Sequence, residues 1–529
     1  MCQFFTSCAG RISGALLLGL CLLGQSDAYA QESVETDTLR LTLEQAVQLA
    51  LVENYSLRSS RLDIENAAHQ IREAWGSVYP QVSASSGFTR SIVTANPFAG
   101  SDAGGLFESF GALDWVVYNE NVRQGEHPGK DEISFQEYLQ ERQQGLEDAG
   151  ISPGDQENPF GVDNQINNSL NITQTLFNGS AFAAIRGAES LRNLNEYNLQ
   201  RQNQITIDEV RSAFYGALLS RQQTDVVRSS VERTSETLKE TRRLVEQGVV
   251  SRQNQLSAEV ELVNLETELL EVENQAEMAT KSINMLLGIP VEQPIVLAGE
   301  LDMIDIPDID LSVEEAYLTA LDQRPDLDQA ESAVELSEIE SQITRSSYLP
   351  VVNAFADLSY LGSVPDDRGQ ILTDPDDPFA FSSGPTRGFF ADPYWNPNVS
   401  VGIQLSWSIF TGGQNRARGQ QSQIAIRQSE LNYEQLQNSV RLEINQALRQ
   451  LRASERRVES QERNIEQAQQ NYDFAVSRLR EGVGSNLEER QASSLLDQSQ
   501  LGYLSAVYDY LNALSSFELA IGKSVAEFN

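Results

Sequence analysis

Residues 398–410 read NVSVGIQLSWSIF. Every second residue from Val399 is apolar (Val399, Val401, Ile403, Leu405, Trp407, Ile409), and Ser400, Gly402, Gln404, Ser406 and Ser408 stand between them. A period of two is the pattern of a strand with one apolar and one polar face. Three other strand candidates lie at about 81–92, 168–177 and 351–361, of which 168–177 alternates less clearly. In 351–361, Val352, Ala354, Ala356, Leu358 and Tyr360 fall on one face and Asn353, Asp357 and Ser359 on the other, with Phe355 out of pattern. In 168–177, Leu170, Ile172 and Leu176 oppose Asn171, Thr173 and Thr175. The rest of the chain reads as helix, so what covers the apolar strand faces is the deciding question.

The N-terminal segment bears on the compartment. Arg11, the apolar run ISGALLLGLCLLG and AYA at 28–30 have the order of a secretory signal peptide, expected over residues 1–30. All three cysteines (Cys2, Cys8, Cys21) fall inside it, so the exported product has no disulfides. Leu20 before Cys21 argues against a lipid-modified start. Acids outnumber bases 76 to 38, which excludes nucleic acid as a partner and argues against a polybasic membrane contact. No later segment is long and apolar enough for a spanning helix, so any membrane crossing must use strands.

The chain repeats itself. LTLEQAVQLALVENYSL (41–57) matches LSVEEAYLTALDQRPDL (311–327), and YPQV (79–82) falls on LPVV (349–352) with the same offset. LFNG (176–179) matches IFTG (409–412), EQGVVS (246–251) matches REGVGS (480–485), and LLGIP (286–290) matches LAIGK (519–523), at a shorter offset. A tandem duplication over 31–300 and 301–529 is expected, with extra sequence in the first copy between 82 and 176.

Proline is absent between Pro159 and Pro290 and again after Pro397, which suits long helices. Within these stretches apolar residues recur in heptads: Ile444, Leu451, Val458, Ile465, Tyr472 and Leu479, with Val210, Ala217, Thr224, Val231, Leu238 and Val245 in the first copy. Thr224 weakens that seam. Helices 181–247 and 414–480 should each run roughly 100 Å at 1.5 Å per residue. Those at about 41–78, 251–288, 311–348 and 486–522 are near half that length. Gly248 and Gly482 mark the turns between long and short helices. The seam of 251–288 is expected along Leu262, Leu265, Leu269, Val272, Ala276, Ala279, Ile283 and Leu286. These are coiled-coil helices.

The helices use their seams on each other, which leaves the strands a lipid solvent: about ten residues of apolar-out alternation suit a bilayer-crossing barrel strand. A sheet packed on a soluble core is the competing reading. Four strands cannot close a barrel, and an open edge is not tolerated in lipid; three copies would supply twelve strands.

In this order and in duplicate, LTLEQAVQLAL and LSVEEAYLTAL, QRPDL (323–327), YLP (348–350), LFNG and IFTGG, and the glycine turns resemble those of the TolC-like outer-membrane factors, from about 41 to 522. The resemblance implies a mainly α fold with membrane β: a homotrimer whose twelve-stranded barrel, four strands per chain, sits in the outer membrane of a Gram-negative-type bacterium. A long periplasmic α-helical coiled-coil barrel continues it, with a belt to which linker 290–310 belongs. It implies a passive duct for drugs, small molecules or proteins in a tripartite efflux or type I secretion system, with a periplasmic adaptor (membrane fusion) protein and an inner-membrane transporter of the resistance-nodulation-division or ABC class as partners.

By position, the resemblance assigns Gly248, Ser251, Asn254, Gly482 and Ser485 to the periplasmic tips where the adaptor docks, and Glu488 and Glu489 to an acidic ring at the aperture. The plainer alternative for both acids is a helix first turn, where the dipole favours them. The strand-connecting loops are 93–167, with fourteen acids and three bases, and 363–398, with six acids, two bases and six prolines. SFQEYLQERQQGLEDAG (134–150) has the pattern of a small helix; lid, ion-binding and shielding roles all remain open for it.

Chemistry is not expected. His69 and His127 have no metal-ligand spacing around them, and TGG at 411–413 lacks the lysine of a phosphate loop. No cofactor, metal or catalytic residue is assigned. The rival class is a secreted coiled-coil structural or adhesive protein.

Overall fold

A computed structural model describes residues 38–93, 104–151, 162–301, 311–366, 368–481 and 483–523. The expected signal peptide and its cysteines, part of linker 290–310 and Gly482 lie outside them. The chain divides into two compact units: residues up to Arg58 with Gln202–Ala320 and everything from Glu443, and Ser59–Arg201 with Leu321–Leu442.

The first unit holds strand β1 (Leu39–Leu41), helix α1 (Leu43–Glu53) and the start of α2 (Tyr55–Gly76). It also holds the C-terminal parts of α5 (Gly179–Glu246) and α9 (Gln414–Arg480), and α6 (Arg252–Leu287), β4 (Ile295–Leu297), most of α7 (Val313–Gln323) and α10 (Asn486–Ile521). α5 has 68 residues and α9 has 67, as the proline-free stretches require, while α6 and α10 have 36 each. The heptad positions Val210, Ala217, Leu238, Ile444, Leu451 and Val458 are buried. Thr224 does not break the seam: it is buried, and its hydroxyl is satisfied by the Ser220 carbonyl at 2.9 Å, one turn back. On α10, Ala506, Tyr510, Ala513, Phe517 and Ala520 are buried, large and small residues interleaving. On α6 every predicted seam position is at least half-buried. Of its predicted seam only Ile283 is fully buried, and Leu256, Val260, Val263 and Leu270 form a second, exposed apolar stripe.

The expected helix 41–78 is two helices, because Asn54 stops one and starts the next. Its Oδ1 accepts from the Ser56 and Leu57 backbone N–H groups at 2.9 and 3.2 Å, and its Nδ2 donates to the Leu286 carbonyl at 2.8 Å. Gly288, at φ +76°, ends α6 there; a β-carbon on it would lie 2.2 Å from the Glu53 carbonyl oxygen. The expected helix 311–348 is likewise divided, into α7 and α8 (Pro325–Ser346), where Pro325 takes the first helical position. A short parallel pair, Leu39↔Ile295 to Leu41↔Leu297, was not legible in the sequence. Arg221 braces it, donating to the Leu297 carbonyl at 2.8 Å and to that of Gly299.

The second unit contains the sheet. Strands β2 (Gln81–Arg90), β3 (Asn164–Phe177), β5 (Val351–Val364) and β8 (Trp395–Ser406) pair antiparallel in the order β2-β3-β5-β8, so β2 and β8 are open edges. Their bounds correct the expected ones. β3 begins at Asn164, so the first connecting loop is shorter than 93–167, and β5 runs on to Val364. β8 starts at Trp395 and ends at Ser406, although the alternation continues to Ile409. The ladder stops because Ser406 pairs with Val351 and the residue before it, Pro350, has no N–H to donate. Trp407 instead donates its indole N–H to the Tyr348 carbonyl at 3.0 Å.

Around the helices of this unit, small residues allow close approach. Ser337 and Ser429 hydroxyls meet at 2.8 Å, those of Ser341 and Ser422 at 3.1 Å, and a β-carbon on Gly187 would sit 3.3 Å from Ile339. Asp326 is bonded by Arg324 at 2.6 and 3.0 Å and lies 3.6 Å from Arg201. Burial alone would raise its carboxyl, but these guanidinium groups hold it below the ordinary value.

The connecting loops carry structure of their own. α3 (Gly104–Gln124) and α4 (Phe135–Asp148) come from the first, and the hairpin β6 (Ile371–Thr373)–β7 (Phe381–Ser383) from the second. α4 is the small helix expected over 134–150, started by Ser134 and Glu137 each capping the other's backbone N–H. Tyr118, Tyr138 and Phe379 form a buried cluster joining both loops, with Trp115, Val122 and Ile133 against it. Lys130 pairs with Asp377 at 3.1 Å and lies 5.7 Å over the Phe379 ring.

Candidate functional site

The helical tips and the sheet are the two candidate regions. At the first tip, Gly248 at φ +74° lets α5 end: its N–H reaches the Val245 carbonyl at 3.0 Å and that of Val249 the Leu244 carbonyl at 2.9 Å. This is the Schellman arrangement, which only a left-handed residue allows without strain. Ser251 precedes α6, but its side chain makes no capping bond; its carbonyl accepts from the Asn254 N–H at 3.0 Å. Gly248, Ser251 and Asn254 are all exposed on the turn.

The second tip is built differently. Val483 and Gly484 both direct their N–H groups at the Arg478 carbonyl, at 3.0 and 2.9 Å. Gly484 is a requirement that the sequence reading missed: a β-carbon there would lie 2.9 Å from the Leu479 nitrogen. The signal was present in EGVGS, where either glycine fits a helix end. The exposed Ser485 caps α10, its hydroxyl oxygen accepting from the Glu488 N–H at 3.2 Å.

Glu488 and Glu489, read together as one acidic group, do not share a surface. Glu488 is exposed, with the Arg478 guanidinium 3.6 Å from its carboxylate. Glu489 is 6% exposed and lines a cavity of about 250 Å³ among α5, α6 and α10. There Arg233 pairs with Asp497, which also accepts from the Ser230 hydroxyl at 2.8 Å. Glu489 Oε2 and Arg233 Nε are buried without hydrogen-bond partners. Burial raises the Glu489 carboxyl, and Arg233 and Arg490 offset part of that rise.

In the sheet, register assigns the faces. Val352↔Leu405, Ala354↔Ile403, Ala356↔Val401 and Leu358↔Val399 continue across β3 through Ile172 and Leu170 to Val82 and Ala84. This apolar face has no cover: Val399, Val401, Ile403 and Leu405 are 62–76% exposed. The opposite face carries Gln404, Ser400, Asn353, Asp357, Ser359, Asn171 and Thr173. Phe355, out of pattern in the sequence, lies over Gly402 on this face. Aromatic residues stand at both ends of the β5–β8 pair: Tyr360 stacks on Trp395 at 5.2 Å and Phe390 on Trp395 at 5.7 Å, while at the other end Trp407 donates to the backbone of Tyr348. Interfacial aromatic girdles flank the apolar band of membrane barrels. Among the described residues no helix is long and apolar enough to cross a membrane, and no group of three His, Cys, Asp or Glu side chains is placed to hold a metal. His127 stacks on Tyr118 at 5.9 Å. In the TGG stretch, Gly412 and Gly413, at φ +62° and +85°, turn the chain from strand into α9.

The described residues thus combine a mainly helical fold, with buried heptad positions, and one four-stranded sheet whose apolar face is uncovered. The chain belongs to the outer membrane efflux protein family, whose pattern matches residues 150–289 and 316–523. It is similar to the alkaline protease secretion protein AprF of Pseudomonas aeruginosa, 23% identical over 360 residues, 67% of this chain and 69% of that one. It is also similar to the pyoverdine export outer membrane protein OpmQ of the same organism, 24% identical over 293 residues, 55% of either chain. The fold is that of the Campylobacter jejuni CmeC outer membrane channel, with a TM-score of 0.64 at 16% identity over 91% of this chain and 85% of that one. The chain is thus an outer-membrane channel for efflux or secretion, located in the Gram-negative outer membrane and reaching into the periplasm. The reading as a secreted adhesive coiled coil falls away.

Proposed function

We propose that three copies close one passive duct, β2 of each chain pairing with β8 of the next to make a twelve-stranded barrel, while the helices of the three copies wall a periplasmic passage. The observation that carries this is the sheet: four strands, two open edges and an apolar face that is exposed on β8 and mostly half-buried on the central strands. Unpaired backbone groups cost several kcal/mol each in hydrocarbon, so the edges must find partners. In this reading residues 1–30 are removed on export, and 31–300 and 301–529 are the two repeats.

The duct serves a tripartite efflux or type I secretion system, passing drugs, small molecules or proteins, with energy supplied by an inner-membrane transporter of the resistance-nodulation-division or ABC class. The adaptor protein docks at the tips, on Gly248, Ser251, Asn254 and Ser485, and on Gly482. The exposed turn backbone and side chains of the first tip support this. An acidic ring at the aperture draws on Glu488; the burial of Glu489 turns its carboxylate into the helical layer instead.

Electron microscopy of the detergent-extracted mature protein tests the assembly. Threefold, hollow particles are expected. Monomers, or particles without a lumen, would end the barrel reading.

A further inference from the structure

The polar face of the sheet is almost free of charge. Across the paired residues it presents Ser, Thr, Asn and Gln, the covered Gly402 and a few apolar groups, and one ionisable side chain, Asp357. Arg90, the other charged residue of these strands, stands at the far end of β2 and is paired with Asp366 at 2.8 Å. Asp357 lies in the middle of β5, directly opposite Asn171 on β3 and Ser400 on β8. No basic side chain among the described residues reaches it. A carboxylate held against protein is normally paired, and one held against lipid is costly. An unpaired one at mid-sheet fits a face turned to water.

We propose that Asp357 and its two symmetry copies form a carboxylate ring inside the barrel that concentrates cations, so that the strand segment itself selects for cationic solutes and hydrated metal ions. This rests on the three-copy barrel proposed above. Three carboxylates at one height, in a wall that is otherwise neutral, act on a passing ion without competing fixed charge nearby. The ring is independent of any charge at the helical tips. Its attraction grows with the charge of the ion and is screened over about 8 Å at 0.15 M salt, so it is read best with a polyvalent cation at low ionic strength.

The test uses the full mature protein in planar lipid bilayers, with hexaamminecobalt(III) added to each side in turn as a channel blocker. In Asp357→Asn channels the half-blocking concentration from one side should rise about tenfold at low salt, with open conductance little changed. Asn171→Asp, which adds a second carboxylate at the same height, should lower it, and Asp357→Glu should behave as the parent. Conducting Asp357→Asn channels that block like the parent from both sides would overturn the ring. A parent protein that forms no channels would instead overturn the barrel on which it rests, and the two failures are distinguishable.

Discussion

The ring of Phe355 covers Gly402 on the neighbouring strand so closely that a β-carbon at Gly402 would lie 2.8 Å from its Cζ and 2.9 Å from its Cε1. The two residues are direct partners in the β5–β8 ladder. An aromatic ring laid over a strand glycine shields backbone that has no side chain of its own. Gly402→Ala should force the ring aside and cost about 1–3 kcal/mol. The measurement is the midpoint of thermal unfolding in detergent, expected to fall for Gly402→Ala; an unchanged value would mean that the ring moves freely.

The loops offer a second contact of this kind. A β-carbon on Gly145 of α4 would sit 1.9 Å from the Phe379 carbonyl oxygen in the other loop. Alanine is the better helix former by about 1 kcal/mol, so helix propensity and packing pull in opposite directions. Gly145→Ala should therefore open the α3–α4 segment to added protease, through an overpacking cost of about 1–3 kcal/mol, while the sheet stays protected. Slower cleavage would show that propensity outweighs the contact.

The two tips predict opposite responses to one substitution. Ser485→Ala removes a hydroxyl that accepts from the Glu488 N–H, at a cost of about 1 kcal/mol to the start of α10. Ser251→Ala removes one that makes no capping bond, and α6 should be little affected. Hydrogen exchange of the first-turn amides of each helix separates them, with faster exchange expected only after Ser485→Ala.

Glu489 gives a pH dependence with a definite sign. Its carboxyl is raised above the ordinary 4.5 by burial, with Arg233 and Arg490 opposing. Below 4.5 the group is protonated both folded and unfolded, and there is no penalty. As pH rises through 4.5 toward the folded-state value, the unfolded chain ionises first and stability is lost; above that value the loss is complete. Glu489→Gln should be more stable than the parent at pH 8, by about 1–3 kcal/mol if the unpartnered oxygen carries the cost, and the gap should close toward pH 4.5. Thermal unfolding at the two pH values measures it; a gap that does not change with pH would place the cost in packing.

Much of the fold could be read from periodicity. The long helices follow from proline-free heptads, and α9 occupies the expected 414–480. The strands follow from alternation, but their ends do not, because a strand ends where its partner stops donating: Pro350, in another segment, ends β8. The helix break at Asn54 depends on its side chain bonding the distant Leu286 carbonyl and does not interrupt the local apolar pattern, whereas Pro325 marked the second break locally. The tips were legible as turns, yet the separate fates of Glu488 and Glu489 were not. Adjacent acids in a helix point about 100° apart, and only the packing of α5 against α10 decides which one is buried. The loop cluster left the weakest trace, since Tyr118, Tyr138 and Phe379 are scattered among acidic and glycine-rich sequence.

That cluster has a consequence for how such channels diversify. Its three rings come from both halves of the chain, two from the long first loop and one from the second. Neither loop can be exchanged alone without uncovering an aromatic face on the other. The pair is one heritable module: a graft of α3–α4 into a related channel needs the segment around Phe379 with it, and a change in one loop selects for a matching change in the other.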